Sequence, residues 1–341
     1  MFESLKPVGL DPILSLMIAF REDPRTTKVD LGVGVYMDDR GRTPVMNAVK
    51  RAETKLMALE NTKSYQGIGG DAEYNKHMLA LLLGANHSVI GSGRTTSIQA
   101  PGGSGALRVG AEVITRARPN AKLWVGVPTW PNHVPLLGSA GFEIKEYPYY
   151  DMETRQINAD LMMETLRSVP AGDVVLLHGC CHNPCGADLS LEQWGVVADM
   201  AEAQGFVPFV DIAYQGLGDG LEEDAAGLRL LAERVPEMII AASCSKNMGL
   251  YRERTGAVMF VCQDRANAEA LVSQALVAAR RVYSMPPAHG ALIAGRILSD
   301  QALDEIWRTE LVDMCGRMNG LRTGLREKLE AASSRDFAFI E

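Results

Sequence analysis

Lys246 is the amine in this sequence best placed to do chemistry. It lies in Ser243-Cys244-Ser245-Lys246-Asn247-Met248-Gly249-Leu250, among small hydroxyl side chains, and the cation Arg254 closes the stretch. The run before it, Met238-Ile239-Ile240-Ala241-Ala242, is apolar, partly β-branched and only strand-long. That pattern predicts a buried strand delivering Lys246 at its end. Burial and a nearby cation both disfavour an ammonium, so a lysine there can serve as a Schiff-base nucleophile. A solvated lysine at a strand exit is the plainer alternative, and the octapeptide alone does not separate the two.

Other candidates also sit at the ends of apolar runs. Asp211-Ile212-Ala213-Tyr214 follows Phe206 to Val210 and presents a carboxylate and a phenol. Gln99-Ala100-Pro101-Gly102-Gly103-Ser104-Gly105-Ala106 enters a helical pattern over 107–116, a loop able to aim backbone N–H groups at an anion such as phosphate. It is neither a Walker loop nor a complete dinucleotide fingerprint, and glycine turns before helices are common. Trp130, between Pro128 and Pro131, can stack on a flat ring or simply pack in the core. Tyr65, in the glycine-rich Tyr65 to Gly70, reads from the residues alone as ordinary packing. Gly32 and Gly34 mark a turn or a close approach to something bound, and packing explains them as well. His178-Gly179-Cys180-Cys181-His182-Asn183-Pro184-Cys185 invites a zinc reading. Its spacing matches no paired Cys-x-x-Cys scheme and no second ligand cluster follows, so no metal is expected and the turn is read as presenting Asn183. Arg280-Arg281 closes a helical pattern, where cations are favoured in any case.

The elements that must position these residues alternate. Predicted strands at 123–127, 142–147, 174–177, 206–210, 238–242 and 255–262 are interleaved with helical patterns at 107–116, 190–204 and 222–233. This implies a mostly parallel α/β sheet whose binding crevice lies at the strand C-termini, where Trp130, Asn183, Asp211 and Lys246 all fall. Asp11-Pro12 reads as an N-cap and first-turn proline. Further helices are expected over 45–60, 72–83, 266–280, 288–298 and 302–329, and Phe337 to Ile340 begins a strand.

At 341 residues and 47% hydrophobic composition, the chain can bury a large core, with about two domains on the length prior. A net charge of −8 without a dense basic block disfavours nucleic acid and lipid and favours small-molecule partners. Six cysteines without a disulfide framework, no apolar run long enough for a membrane span, and an Ile13 to Phe20 run that follows acidic Asp11 and lacks a small-residue cleavage site point to the cytoplasm.

The sequence resembles the class I, fold-type I pyridoxal phosphate-dependent aminotransferases, specifically the aspartate and aromatic amino acid aminotransferases. The resemblance runs essentially end to end. It is carried in family order by Pro101-Gly102-Gly103-Ser104-Gly105-Ala106-Leu107-Arg108, Trp130-Pro131-Asn132-His133, His178 to Pro184, Asp211-Ile212-Ala213-Tyr214-Gln215-Gly216 and Ser243-Cys244-Ser245-Lys246-Asn247. It implies a three-layer αβα large domain at 41–301, a smaller α/β domain from 12–40 and 302–341 that is incomplete at the C-terminus, and an arm at 1–11.

The resemblance also implies roles. Lys246 would carry pyridoxal 5′-phosphate as a Schiff base and act as general base once released. Asp211 would pair with the ring nitrogen, and Asn183 and Tyr214 with the ring hydroxyl. Gly103, Ser104, Ser243, Ser245 and Arg254 would hold the phosphate, joined by Tyr65 from the partner subunit of a homodimer. Trp130 would stack on the ring, with His133 and His182 supporting that face and Asp211. Arg280 would meet a distal substrate carboxylate across the dimer, and Gly34 would flank the substrate. The implied reaction moves an amino group between aspartate, glutamate or an aromatic amino acid and a 2-oxo acid such as 2-oxoglutarate.

Two departures stand out. Cys185 occupies a position where threonine is usual. Relatives also continue past the end of this chain and carry an arginine for the substrate α-carboxylate, which Arg317, Arg322 and Arg326 do not match. The alternative is therefore a cofactor-binding but catalytically impaired chain. Another reaction of the same cofactor, such as β-elimination, comes third.

Overall fold

The computed structural model describes residues 2–340 except 8, 10, 11, 31 and 33, and they fall into two compact units, Met1–Pro44 and Val45–Glu341. In the first unit a helix spans Pro12–Glu22. Its expected N-cap, Asp11, lies outside the described residues. Beyond the helix, Lys28 Nζ donates to Asp23 O at 2.8 Å and sits 4.5 Å from the Phe20 ring centroid.

The second unit is built on strands β1 (Thr95–Pro101), β2 (Lys122–Val127), β3 (Glu143–Pro148), the short pair β4 (Tyr150–Asp151) and β5 (Gln156–Ile157), then β6 (Val174–His178), β7 (Val207–Ile212), β8 (Met238–Ser243) and β9 (Thr255–Val261). Seven of them form one sheet in the order β1-β9-β8-β7-β6-β2-β3. Within it β9 runs antiparallel to β1 and β8, and the remaining pairings are parallel.

Both faces of the sheet are covered. Ile98, Val125, Leu176, Phe209, Ile239 and Val258 join one core cluster with Leu107 of the helix Gly102–Ala117, while the alternate residues Val175, Leu177, Val210, Ile240 and Met259 are buried on the other face. Burial on two faces explains why these strands read as continuous apolar runs rather than as alternating patterns. The α/β class, with helices flanking a mostly parallel sheet, is the one expected.

Two expectations change. Residues 95–101 form β1, an edge strand whose Thr-Thr-Ser opening hides it from an apolar scan, and the following helix starts at Gly102 rather than at Leu107. Phe337 to Ile340 is not the start of a strand: Ala338–Ile340 is a 3₁₀ turn. Arg322 Nε donates to Ile340 O at 2.8 Å there, and among the described residues no strand pairs with it to form a ladder. The long helix is Gln301–Ala332, capped by Asp300, and its apolar stripe Leu303, Trp307, Leu311, Met314 is buried only in the first half.

Candidate active site

Lys246 is held from several directions. All six residues of β8 are buried, and Cys244 N donates to Thr255 O of β9 at 3.0 Å. Trp307 Nε1 donates to Asn247 O at 2.7 Å, and Asn247 Nδ2 donates to Gln215 O at 3.2 Å. The turn leaving β8 is thereby tied to β9, to the long helix and to the loop after β7. Lys246 Nζ lies 4.5 Å from the centroid of the Tyr214 ring. Burial lowers the lysine pKa below its ordinary value; the Asp211 charge pulls it back up and Arg254 pushes it further down.

Asp211 lies in β7, paired in register with His178 of β6. Its Oδ2 is 2.9 Å from His133 Nε2, a ring with no exposed surface. Thr129 Oγ1 lies 2.7 Å from His133 Nδ1 and 3.1 Å from His178 Nε2. An ionised carboxylate only accepts, so His133 Nε2–H donates to it; in a neutral ring Nδ1 then accepts from Thr129, whose oxygen accepts from His178. Trp130 meets His133 edge-on, ring centroids 5.2 Å apart. The His182 ring centroid lies 3.8 Å from that of His178 and 4.2 Å from that of Tyr149, on which it stacks, and the described contacts link it to Asp211 through His178, Thr129 and His133. Burial drives the His178 pKa well below the usual histidine range, assisted by His182 and His133, and lowers that of His182 to about 4. Burial, followed by the Asp211 charge, raises the Tyr214 pKa, while a side-chain hydrogen bond with Asn183 opposes the rise.

At the other end lies a cradle for an anion. The helix Gly102–Ala117 opens with two glycines and has no side-chain cap, leaving its first N–H groups available. Ser243 Oγ and Ser245 Oγ are 2.8 Å apart and buried, and Ser245 N donates to Ser243 Oγ at 3.1 Å. A Cβ on Gly103 would only just touch Ser243 Cβ, at 3.5 Å. Arg254 is held in the left-handed region, φ +53°, with Nη1 donating to Tyr251 O at 2.8 Å. Because β9 runs antiparallel, its start lies at the same sheet edge as the ends of the parallel strands, which brings Arg254 back to Gly102.

The structure thus gathers Gly103, Trp130, His133, Asn183, Asp211, Tyr214, Ser243, Ser245, Lys246 and Arg254 along that edge, with Ser104 in the first turn of the helix Gly102–Ala117. Tyr65 is 90% exposed, and Arg280 is exposed with Nη1 bonded to Ser284 Oγ. Neither touches Lys246 or its neighbours among the described contacts. Gly34 belongs to the first unit and is exposed. Sequence reasoning gives no role to Thr129, His178 or Tyr149; His178 opens the motif that holds His182, and Thr129 directly precedes Trp130, which is the signal the sequence offers for those two.

The donor set has distinct ends: a half-buried amine, a carboxylate braced by histidine, a ring-sized tryptophan face, and hydroxyls, amides and a guanidinium for an anion. A planar, phosphorylated aldehyde cofactor fits all of them. The fold and this site define an α/β protein with a half-buried lysine amine at one end of its site and a cradle suited to an anion at the other. Residues 26–341 match the family described as aminotransferase class I and II. The chain is 46% identical over 341 residues to the aromatic-amino-acid aminotransferase of Paracoccus denitrificans, covering 100% of this chain and 86% of that protein. It is equally 46% identical, over the same shares, to the aspartate aminotransferase of Escherichia coli. A solved aromatic-amino-acid aminotransferase from Burkholderia pseudomallei, covalently bound to pyridoxal phosphate, superposes with a TM-score of 0.97 at 41% identity, covering 100% of this chain and 86% of that one. The chain belongs to the class I and II aminotransferases.

Proposed function

We propose that this site holds pyridoxal 5′-phosphate and transfers amino groups between an L-amino acid, namely aspartate, glutamate or an aromatic amino acid, and a 2-oxo acid such as 2-oxoglutarate. The observation that carries this reading is the half-buried Lys246 amine, with its pKa lowered by burial, set between the Asp211–His133 pair and Arg254. When bound, the cofactor supplies an aldehyde carbon and a ring that absorbs the charge left as the substrate Cα proton departs.

In this reading Lys246 would hold the cofactor at its aldehyde carbon and, as a free amine, would move the substrate Cα proton. Asp211, oriented by His133, keeps a proton on the ring nitrogen. Asn183 and Tyr214 serve the ring hydroxyl, and Trp130 covers the ring while lining the substrate space with Asn183. Gly103, Ser104, Ser243, Ser245 and Arg254 hold the phosphate through amides, hydroxyls and a guanidinium.

The exposure of Tyr65 and Arg280 supports assigning them to the site of a second copy in a homodimer, Tyr65 to the phosphate and Arg280 to a distal substrate carboxylate, with Gly34 beside the substrate. The same reading gives 41–301 to the cofactor domain, 12–40 with 302–341 to a smaller domain and 1–11 to an arm. No helix among the described residues is long and apolar enough to cross a membrane, and all six cysteines are unpaired, which supports a cytoplasmic setting.

The test is the visible absorption of the cofactor-loaded chain. Lys246→Ala should abolish the band that depends on the covalent link, and a retained band would overturn the assignment. Conversion of the bound cofactor by glutamate in a single turnover then tests the transfer itself.

A further inference from the structure

The adjacent cysteines Cys180 and Cys181 take no part in the chemistry above, and the spacing of the ligands around them in sequence matches no paired metal scheme. The fold supplies partners from two distant segments. Asp224, which precedes the helix Ala226–Arg234, brings a carboxylate to them, and the Cys180, Cys181 and Asp224 ligand atoms all lie within 4.8 Å of one another. Cys315, in the long helix, meets the same corner at Gly218: its Sγ donates to Gly218 O at 3.1 Å, and Asn319 Nδ2 donates to the same oxygen at 3.1 Å. Gly218 keeps the corner open, since a Cβ there would fall 2.7 Å from Asp224 Oδ1 and 3.1 Å from Cys181 Sγ.

Beside this cluster is a cavity of about 90 Å³ lined in part by Cys180, Asp188, Asp219, Glu223 and Asp224. Cys180 is 5% exposed and Asp224 8%, so both are fixed by packing. Asp224 is fixed further by accepting from Gly216 N at 2.7 Å, Gly218 N at 3.0 Å and Asp219 N at 2.8 Å. Those three amides leave about one acceptor position free, on Oδ1, because a carboxylate offers about four. Thiols backed by carboxylates suit a soft divalent cation.

We infer that Cys180, Cys181 and Asp224, with Cys315 as a further donor, form a binding site for a thiophilic divalent cation of the zinc and cadmium type, separate from the Lys246 site. Binding breaks the S–H bonds of the coordinating thiols, forms metal–sulfur bonds and releases the protons to solvent, with no change of oxidation state. The ion would join the turn that presents Asn183, the loop that follows Tyr214 and the long helix that holds Asn247. It would stabilise the fold by binding the native state alone.

The experiment uses the cofactor-loaded full chain, kept reduced with a phosphine and titrated with cadmium alone. Sulfur-to-cadmium charge-transfer absorption and bound metal after gel filtration are measured. The expected result is one cadmium per chain, a rise in Tm, and at least roughly tenfold weaker binding in both Cys181→Ser and Cys315→Ser. Cys262→Ser, distant in the sheet, should bind as the parent does. Circular dichroism and the cofactor spectrum verify that each variant is folded. Absence of the charge-transfer band in the folded parent overturns the inference, as does a band that survives in the Cys181→Ser, Cys315→Ser double variant.

Discussion

Arg254 lies against the backbone of Gly102: a Cβ at Gly102 would meet its Nη2 atom at 2.5 Å. Both residues hold positive φ, +69° at Gly102 and +53° at Arg254. Gly256 closes the arrangement from behind, since a Cβ there would fall 2.5 Å from Gly102 C. The anion anchor is thus a place where two strand ends and a helix start approach too closely for side chains.

Gly102→Ala should therefore act on the cofactor first. The alanine must adopt a left-handed conformation, costing about 1–2 kcal/mol, and must displace the guanidinium. Pyridoxal phosphate affinity should fall by roughly tenfold or more, as expected when a charge-assisted contact is lost. Equilibrium dialysis of the folded variant checks this.

Lys246 and its two charged neighbours give a test with opposite signs. Asp211 raises the lysine pKa and Arg254 lowers it. In the chain without cofactor, the pH midpoint for reaction of Lys246 with a small aldehyde should lie below the ordinary lysine value. Asp211→Asn should move that midpoint down and Arg254→Gln should move it up. Reaction rates measured against pH by mass spectrometry decide, and shifts of the same sign in both variants would contradict the arrangement.

His182 should make the fold acid-sensitive. Its pKa is about 4 in the fold against an ordinary 6.5, so the unfolded chain binds the proton first. Its contribution to stability is fully present above pH 6.5, is lost as pH falls towards 4 and changes no further below that, amounting to about 3 kcal/mol. His182→Phe preserves a ring against Tyr149 and should flatten the slope of urea-unfolding free energy between these pH values. Some slope should remain, because the His178 pKa is lowered in the same direction.

Arg280 is expected to separate substrate classes. Its guanidinium is exposed near the end of the helix Arg265–Val282, where Nη1 donates to Ser284 Oγ and the remaining N–H groups face outward. Arg280→Ala should reduce kcat/KM for aspartate and glutamate by roughly a hundredfold, through loss of a charge-assisted bidentate pair, and that for phenylalanine far less. Equal losses for the two classes would remove Arg280 from this role.

The sequence by itself determined the chemistry-bearing residues and their class of support. Met238 to Ala242 announced a buried strand before Lys246, and Phe206 to Val210 announced one before Asp211, because strands covered on both faces must be apolar throughout. Motif order then identified the family. The sequence could not show β1, whose polar opening suits a sheet edge, nor that β9 runs backwards, since strand direction is a property of the sheet and leaves no mark in composition. That reversal places Arg254 over Gly102. Nor could it show Thr129 between His133 and His178, or Asp224 and Cys315 beside Cys180 and Cys181. Those neighbours come from segments far apart in the chain, and only the packing of one element on another brings their side chains within reach.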